Sequence, residues 1–314
     1  MKNKLNVLVT GGAGFIGSNL VEALTEEYNV TIVDDMSSSR SDFFEFFNKL
    51  SNVNFVECCF SDNKILSRIQ NKEFYGVFHV AAIPRVSYSV ENPSLTTDVN
   101  VLKTTKLMEA CIGNTERFIF SSSSSVYGGA DVMPTPTNHE KIPQSPYAWQ
   151  KSCIEDLIVL FSKLYGLDAV SLRYFNVFGP GQFGNSAYAT AVSAWCHAIK
   201  NKASLRKDGT GKQTRDMCYV DNVVQANIQA LKFSGEFKGE KFNVACEESV
   251  SNNEILEYLA NKFSGLNIEN APFRPGDVMH TLADISETKL VLGYEPSVKF
   301  WTGLEETLKW WNLK

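Results

Sequence analysis

Residues Leu5–Thr10 (LNVLVT) form a continuous apolar, β-branched run that ends at Gly11-Gly12. After the turn, Ser18–Glu27 carries Leu20, Val21 and Leu24 at helical spacing. A solid apolar run that gives way to a period of 3.6 predicts a buried strand leading into an amphipathic helix. The alternation repeats. Apolar runs near 29–33, 52–57, 76–80, 116–121 and 169–174 predict strands, and spaced apolar positions near 62–70, 94–113 and 147–165 predict helices. Strands that alternate with helices predict an α/β fold built on a doubly wound parallel sheet. The helices near 94–113 and 147–165 carry Leu102, Leu107, Met108 and Cys111, then Ile154, Leu157, Ile158, Phe161 and Leu164, a stripe suited to packing on the sheet.

Beyond Asn176 the pattern loosens into Gly179-Pro180-Gly181-Gln182-Phe183-Gly184-Asn185, which reads as a loop and not an interdomain linker. A helix near 187–200, a short segment at Ser204–Asp208 and three helices between Val250 and Trp311 follow. Segments near 214–232 and 241–246 are expected to return to the sheet. The expected organisation is a larger unit over residues 1–176, with returning segments near 214–246, and a smaller, discontinuous α/β unit made of 177–213 and 247–314. No internal repeat is visible, and Trp301, Trp310 and Trp311 read as packing residues.

Bulk properties narrow the function. A chain of 314 residues, 44% apolar, can bury a full core. A net charge of −5 without long runs argues against nucleic acid and anionic membranes as partners. No apolar stretch approaches the ~20 residues of a membrane span, and Met1-Lys2-Asn3-Lys4 leads straight into a strand, so no signal peptide is expected. Seven scattered cysteines match neither a disulfide framework nor a zinc spacing, so free thiols in a reducing cytoplasm are expected. The four histidines are equally scattered, and no metal site is expected.

Three local features carry chemistry. The first is Gly11-Gly12-Ala13-Gly14-Phe15-Ile16-Gly17 between strand and helix, where glycines let the backbone approach a pyrophosphate at the helix N-terminus. The next strand ends in Asp34-Asp35, about 20 residues beyond the glycines, where a carboxylate accepts ribose hydroxyls and repels a 2′-phosphate. NAD is therefore expected over NADP, with nearby Arg40 acting in the opposite sense. The second is Tyr147 and Lys151, which at i,i+4 lie side by side on one helical face behind Ser145-Pro146, a cap and first-turn pair. A positive charge beside a phenol favours the phenolate and suits it to act as a general base on an alcohol. The third is the run Ser121–Ser125 before Val126-Tyr127-Gly128, at the expected end of a strand facing the ligand crevice.

In this order and spacing the three features resemble the extended short-chain dehydrogenase/reductase family, and within it the nucleotide-sugar 4-epimerases. The likeness runs nearly end to end. It takes in His79-Val80-Ala81-Ala82, Asn100, Leu172-Arg173-Tyr174-Phe175-Asn176-Val177-Phe178-Gly179-Pro180, Arg215-Asp216-Met217-Cys218-Tyr219-Val220-Asp221-Asn222 and Phe273-Arg274-Pro275-Gly276-Asp277. It implies a Rossmann fold and NAD held by Gly11, Gly14, Phe15, Ile16, Gly17, Asp34, Ala81, Ala82, Asn100, Tyr147, Lys151 and Tyr174. It also implies a homodimer through the helices near 94–113 and 147–165. The implied reaction oxidises a UDP-sugar at C4, turns the 4-keto sugar over and returns the hydride on its other face. Tyr147 matches the base, Lys151 its activator and ribose contact, and Ser123 the catalytic Ser/Thr, with Ser122 and Ser124 left as alternatives.

The resemblance also bears on the substrate. Dehydratases of the family carry Asp-Glu where this chain has Ser124 and Ser125, and decarboxylases typically carry Glu at Ser125, so epimerisation is favoured. Arg215 and Arg274 match pyrophosphate contacts, Asn176 a phosphate or sugar contact, and Asp277 a ribose contact. Thr281 stands where epimerases restricted to plain hexoses carry a bulky Tyr, which leaves space for a 2-acetamido group and favours UDP-N-acetylglucosamine. UDP-glucose is the nearest alternative. UDP-glucuronate follows, on account of Arg85, in the unusual stretch Ile83-Pro84-Arg85 near the sugar. Cys59 falls where many relatives place an Asp that contacts adenine, with Asp62 three residues on. A dinucleotide-binding sensor without turnover and a net dehydrogenase or reductase are the readings from other classes. The first usually lacks the Tyr-x-x-x-Lys pair that is intact in this chain.

Overall fold

A computed structural model describes residues 4–184, 190–273 and 278–313. Eleven strands are described: β1 (Asn6–Thr10), β2 (Asn29–Asp34), β3 (Val53–Glu57), β4 (Gly76–His79), β5 (Arg117–Ser123), β6 (Ala169–Tyr174), β7 (Leu205–Asp208), β8 (Thr214–Asp216), β9 (Lys238–Val244), β10 (Ser249–Ser251) and β11 (Ile268–Ala271). The first-half helices are α1 (Phe15–Leu24), α2 (Phe43–Phe47), α3 (Asn63–Gln70), α4 (Val86–Glu91), α5 (Pro93–Thr97), α6 (Thr104–Cys111) and α7 (Pro146–Tyr165). Those of the second half are α8 (Ala191–Lys200), α9 (Val220–Lys232), α10 (Asn252–Lys262), α11 (Ser286–Leu292) and α12 (Phe300–Trp310).

Seven parallel strands form the main sheet in the order β3-β2-β1-β4-β5-β6-β9. Helices cover both faces, so successive residues of one strand enter different cores. Val7 and Val9 face the side that holds Leu20, Val21 and Leu24 of α1, while Leu8 faces Leu107 of α6 and Ile154 and Ile158 of α7. This double burial is why the strands read as solid apolar runs and not as alternations. The chain reverses its direction of winding between β1 and β4, the place where open α/β sheets bind ligands. The expected doubly wound Rossmann sheet is thus observed.

Two local outcomes differ from the sequence pattern, and two segments take their bounds from the structure. The helix expected near 94–113 is broken into α5, a π-helical stretch at Asp98–Lys103, and α6. Residues 98–103 widen to the i→i+5 pattern, a bulge that commonly marks functional sites. Thr214–Asp216 does not join the main sheet: it pairs antiparallel with β10, and the return to the sheet is made by α9 and β9. The segment at Ser204–Asp208 becomes β7, parallel to β11. The helix expected near 187–200 is described as Ala191–Lys200, with residues 185–189 outside the described residues.

Candidate active site

A cavity of about 1430 Å³ opens along the C-terminal ends of β1, β2, β4, β5 and β6. It exceeds the ~300–1,000 Å³ that holds one drug-sized ligand, as two ligands side by side require. One end is the glycine turn. Gly11 has φ +72°, and a Cβ there would stand 2.6 Å from the Ala81 nitrogen; a Cβ on Gly17 would stand 2.1 Å from the Gly11 carbonyl oxygen. Side chains are thereby shut out where the chain crosses itself. No side chain caps α1 and no acidic residue sits in its first turn, so its N-terminal amides are left for an anion.

Asp34 ends β2 at the same place. Its carboxylate accepts hydrogen bonds from the Ala13 nitrogen at 3.0 Å and the Met36 nitrogen at 2.9 Å, while burial holds its pKa above the ordinary carboxylate value. Arg40 is already engaged. Its Nε and Nη2 donate to Asp42 at 2.5 and 2.8 Å, Nη1 donates to Ser18 Oγ at 3.1 Å, and its guanidinium lies 4.5 Å from the Phe46 ring centroid. The opposing charge of Asp42 leaves Arg40 poorly placed to offset Asp34. Glycine turn, open helix end and Asp34 together fit NAD.

The middle of the cavity holds Tyr147 and Lys151. Ser145 caps α7 with its Oγ accepting from the Ala148 nitrogen at 3.2 Å, and Pro146 fills the first turn, as the sequence predicts. Lys151 is buried, donates from Nζ to the Ser121 carbonyl at 2.6 Å, and lies 4.6 Å from the Phe120 ring centroid. Burial drives its pKa down to about 7, with Glu155 one turn on acting upward. Burial pushes the Tyr147 phenol up to about 12, with Ser123 acting downward. Lys151 Nζ is 5.9 Å from the phenol ring centroid. The phenol is thus not drawn toward neutrality as the spacing predicts: desolvation dominates, and Lys151 is not among the groups that shift it.

The serine run is sorted by strand alternation. Ser121 Oγ meets the Tyr174 hydroxyl at 3.0 Å, Ser122 Oγ donates to Glu155 Oε1 at 2.7 Å, and Ser123 Oγ accepts from the Ser125 nitrogen at 3.2 Å and lines the cavity with Tyr147. Of Ser122, Ser123 and Ser124, Ser122 is engaged by Glu155, and Ser123 is the one that acts on the Tyr147 phenol, lowering its pKa against the burial. Ser125 Oγ is buried without a protein hydrogen-bond partner, and Ser125 lines the cavity. Such a hydroxyl is suited to meet a ligand.

At the far end Asn176, Arg215 and Thr281 line the wall. Asn176, at φ 37°, donates from Nδ2 to the Asp216 carbonyl at 3.0 Å and to Thr281 Oγ1 at 3.2 Å. Thr281 Oγ1 also accepts from the Asp216 nitrogen at 3.1 Å, which pins its side chain. Arg215 donates from Nη1 to the carbonyls of Thr214 at 2.9 Å and Met279 at 3.2 Å. Arg274 and Asp277 lie outside the described residues.

Other expected contacts stand differently. Asn100 is buried behind the wall: it accepts from the Ile83 nitrogen at 2.8 Å and donates to the Ile83 carbonyl at 3.0 Å and to Gln150 Oε1 at 2.8 Å. It shapes the Ile83 turn instead of lining the cavity. Ala81, Ala82 and Tyr174 do line it. Arg85 is exposed and absent from the described lining, although Pro84 and Val86 on either side belong to it. Asp62 is spent as the cap of α3, accepting from the Lys64 nitrogen at 2.8 Å, and Cys58 and Phe60, not Cys59, reach the cavity. Tyr88, Gln144 and Val278 line the cavity with no periodicity or motif to announce them.

Comparison with known proteins agrees with this geometry. The chain belongs to the NAD dependent epimerase/dehydratase family, whose model matches residues 7–245. NAD is its cofactor, and the expectation of an NAD-dependent enzyme of the epimerase type is met. Among solved structures, UDP-N-acetylglucosamine 4-epimerase from Methanobrevibacter ruminantium, in complex with UDP-N-acetylmuramic acid, is 37% identical with a TM-score of 0.92, and 99% of each chain is covered. UDP-glucuronic acid 4-epimerase from Bacillus cereus, in complex with UDP-glucuronic acid and NAD, is 29% identical with a TM-score of 0.90, covering 98% of this chain and 99% of that one. UDP-glucose 4-epimerase of Mycolicibacterium smegmatis is 31% identical over 314 residues, 99% of each chain.

Proposed function

We propose that the protein is a 4-epimerase of UDP-sugars that interconverts UDP-N-acetylglucosamine and UDP-N-acetylgalactosamine. The observation that carries this reading is that Ser123, Tyr147 and Lys151 line one cavity with both the glycine turn and Thr281, Lys151 Nζ lying 5.9 Å from the Tyr147 ring centroid. Tyr147 takes the proton of the sugar 4-hydroxyl and later gives it back, Ser123 holds that hydroxyl, and Lys151 supplies the charge that favours the phenolate. NAD, when bound, supplies a hydride acceptor that returns what it takes. The serines at 124 and 125 offer no acid for the elimination or decarboxylation chemistry of sister enzymes.

Asn176, Arg215 and Thr281 are assigned to the nucleotide-sugar, together with Arg274 and Asp277. Thr281 is short and pinned, and a Tyr at that position would fill the space that an acetamido group needs. The relative acting on UDP-N-acetylglucosamine, at 37% identity, supports the same choice. Exposed Arg85, off the wall, weakens the case for an acidic sugar. Incubating the pure protein with UDP-N-acetylglucosamine, UDP-glucose and UDP-glucuronate and resolving the products tests the assignment. Turnover of UDP-glucuronate alone overturns it.

The same reading includes a homodimer. Leu95, Leu102, Trp149, Leu160 and Leu164 are exposed on the segments expected to pair, an apolar surface that a second copy would cover. Sedimentation of wild type and Leu160→Glu tests it: a wild-type monomer rejects the dimer.

A further inference from the structure

We infer that the buried Glu155–Arg173 ion pair is a positioning device that ties the strand carrying Ser123 to the wall carrying Thr281. The inference rests on the proposed roles of those two residues in proton transfer and sugar binding. Glu155 and Arg173 side chains are 0% and 1% exposed and lie outside the cavity's described lining. A buried pair is poor grounds for stability, because apolar residues of equal volume often serve as well or better. Its worth lies in where its hydrogen bonds lead.

One arm reaches the catalytic strand. Glu155 Oε1 accepts from Ser122 Oγ at 2.7 Å and from Arg173 Nε at 2.8 Å, and Oε2 accepts from Arg173 Nη2 at 2.7 Å. Glu155 follows Tyr147 and Lys151 on α7 at successive i,i+4 steps. The end of β5 is therefore fastened, one residue before Ser123, to the helix that carries the phenol and the ammonium. Strand and helix cannot slide past each other without breaking a buried, charge-assisted bond.

The other arm reaches the substrate wall. Arg173 Nη1 donates to the Tyr127 hydroxyl at 2.7 Å and to the Thr137 carbonyl at 2.8 Å. Tyr127 passes the chain on to Asn243 Oδ1 at 2.6 Å, and Asn243 Nδ2 donates to the carbonyls of Thr135 and Asp284, each at 3.0 Å. Thr135 and Asp284 are themselves joined, the Thr135 nitrogen donating to Leu282 O at 2.7 Å and the Asp284 nitrogen to Thr135 O at 3.0 Å. Thr281 immediately precedes this junction. The pair thus helps hold Ser123 and Thr281 in register, by bonds to β5, α7, β6, β9 and two loops, beside the direct bond from Asn176 to Thr281.

The test uses the full chain loaded with NAD and whichever UDP-sugar the wild type turns over, with kcat and KM measured separately for Ser122→Ala, Asn243→Ser and Glu155→Gln. Amide hydrogen exchange across residues 282–284 is followed in parallel. Since a ~1 Å misplacement of reacting groups costs ~10²-fold, Ser122→Ala should lower kcat about tenfold and leave KM within about twofold. Asn243→Ser should do the reverse, raising KM about tenfold with kcat within about twofold, and should speed exchange at 282–284. Glu155→Gln should show both effects. A purely structural pair would lower melting temperature and active fraction without this split, and that result overturns the inference. If Glu155→Gln does not fold, the two milder variants still decide. A wild type inert on every UDP-sugar rejects the proposed function instead, and unchanged exchange in Asn243→Ser then rejects the inference on its own.

Discussion

Replacing Gly17 by Ala sets two effects of opposite sign against each other. Gly17 is buried in the first turn of α1, and Ala favours a helix interior over Gly by about 1 kcal/mol. On propensity alone the change should stabilise the protein. The new Cβ, however, would stand 2.1 Å from the Gly11 carbonyl oxygen and 2.8 Å from both the Gly11 carbonyl carbon and Gly12 Cα. All three are backbone atoms and cannot rotate aside, and Gly11 is itself tied by its nitrogen to the Val33 carbonyl at 2.8 Å. Overpacking of this kind costs about 1–3 kcal/mol, and the rigid setting favours the upper half. The net loss is then about 1–2 kcal/mol, a fall in Tm of roughly 1.5–3 °C at this chain length. The glycine turn moves to relieve the clash, so NAD must restore it on binding. Its Kd should rise about 5- to 30-fold, the same free energy read as affinity. Calorimetric titration of nucleotide-stripped protein, beside thermal unfolding, measures both. Gly14→Ala is the control for thermal unfolding alone, since its Cβ would meet no protein atom nearer than the Gly11 oxygen at 3.4 Å. A Gly17→Ala protein with wild-type or higher Tm and unchanged Kd would refute the close-approach reasoning.

Tyr147→Phe keeps the ring and removes the ionisable oxygen, so folding and NAD content should persist while kcat falls ~10²–10⁴-fold; more than about half of wild-type activity rejects Tyr147 as the base. His79 is buried between Thr10 and Thr104, and burial holds its pKa down to about 3 from an ordinary 6.5. Between those values the unfolded chain binds a proton that the folded one does not. Stability should therefore fall as pH drops from 6.5 toward 3, by up to roughly 4–5 kcal/mol, and His79→Gln should flatten that part of a denaturant-derived stability curve. Thr281→Tyr should cut kcat/KM for UDP-N-acetylglucosamine about 5- to 150-fold relative to UDP-glucose, and an unchanged ratio moves the acetamido group elsewhere.

Features that depend on neighbours in sequence were legible, and those that depend on neighbours in space were not. The glycine turn, the capped start of α7 and the Tyr147–Lys151 step are local, and each forms as its spacing predicts. The choice among Ser122, Ser123 and Ser124 required the alternation of β5 and the position of Glu155, which captures Ser122. Asn100 stands in a π-helical stretch that apolar periodicity cannot distinguish from an ordinary helix, and its side chain holds the Ile83 backbone. Arg85 sits beside lining residues yet is exposed, because backbone direction and not sequence proximity decides which side chain enters the cavity. Asp62, left open by the sequence as a substitute for the missing adenine contact, caps α3. Glu155 and Arg173 meet across a helix and a strand, so nothing in either segment announces the pair. Even the Tyr147–Lys151 spacing foretold position better than electrostatics, since burial was not visible in it.

The central claim, epimerisation by removal and return of one hydride within a closed site, is tested most directly with UDP-N-acetylglucosamine deuterated at C4. The wild-type enzyme is incubated in ordinary water with no nucleotide added, and the product is resolved and examined by mass spectrometry and NMR. UDP-N-acetylgalactosamine should form with the deuterium kept at C4 and no net NADH released. Loss of the label to solvent, release of NADH in proportion to product, or no product at all would contradict it.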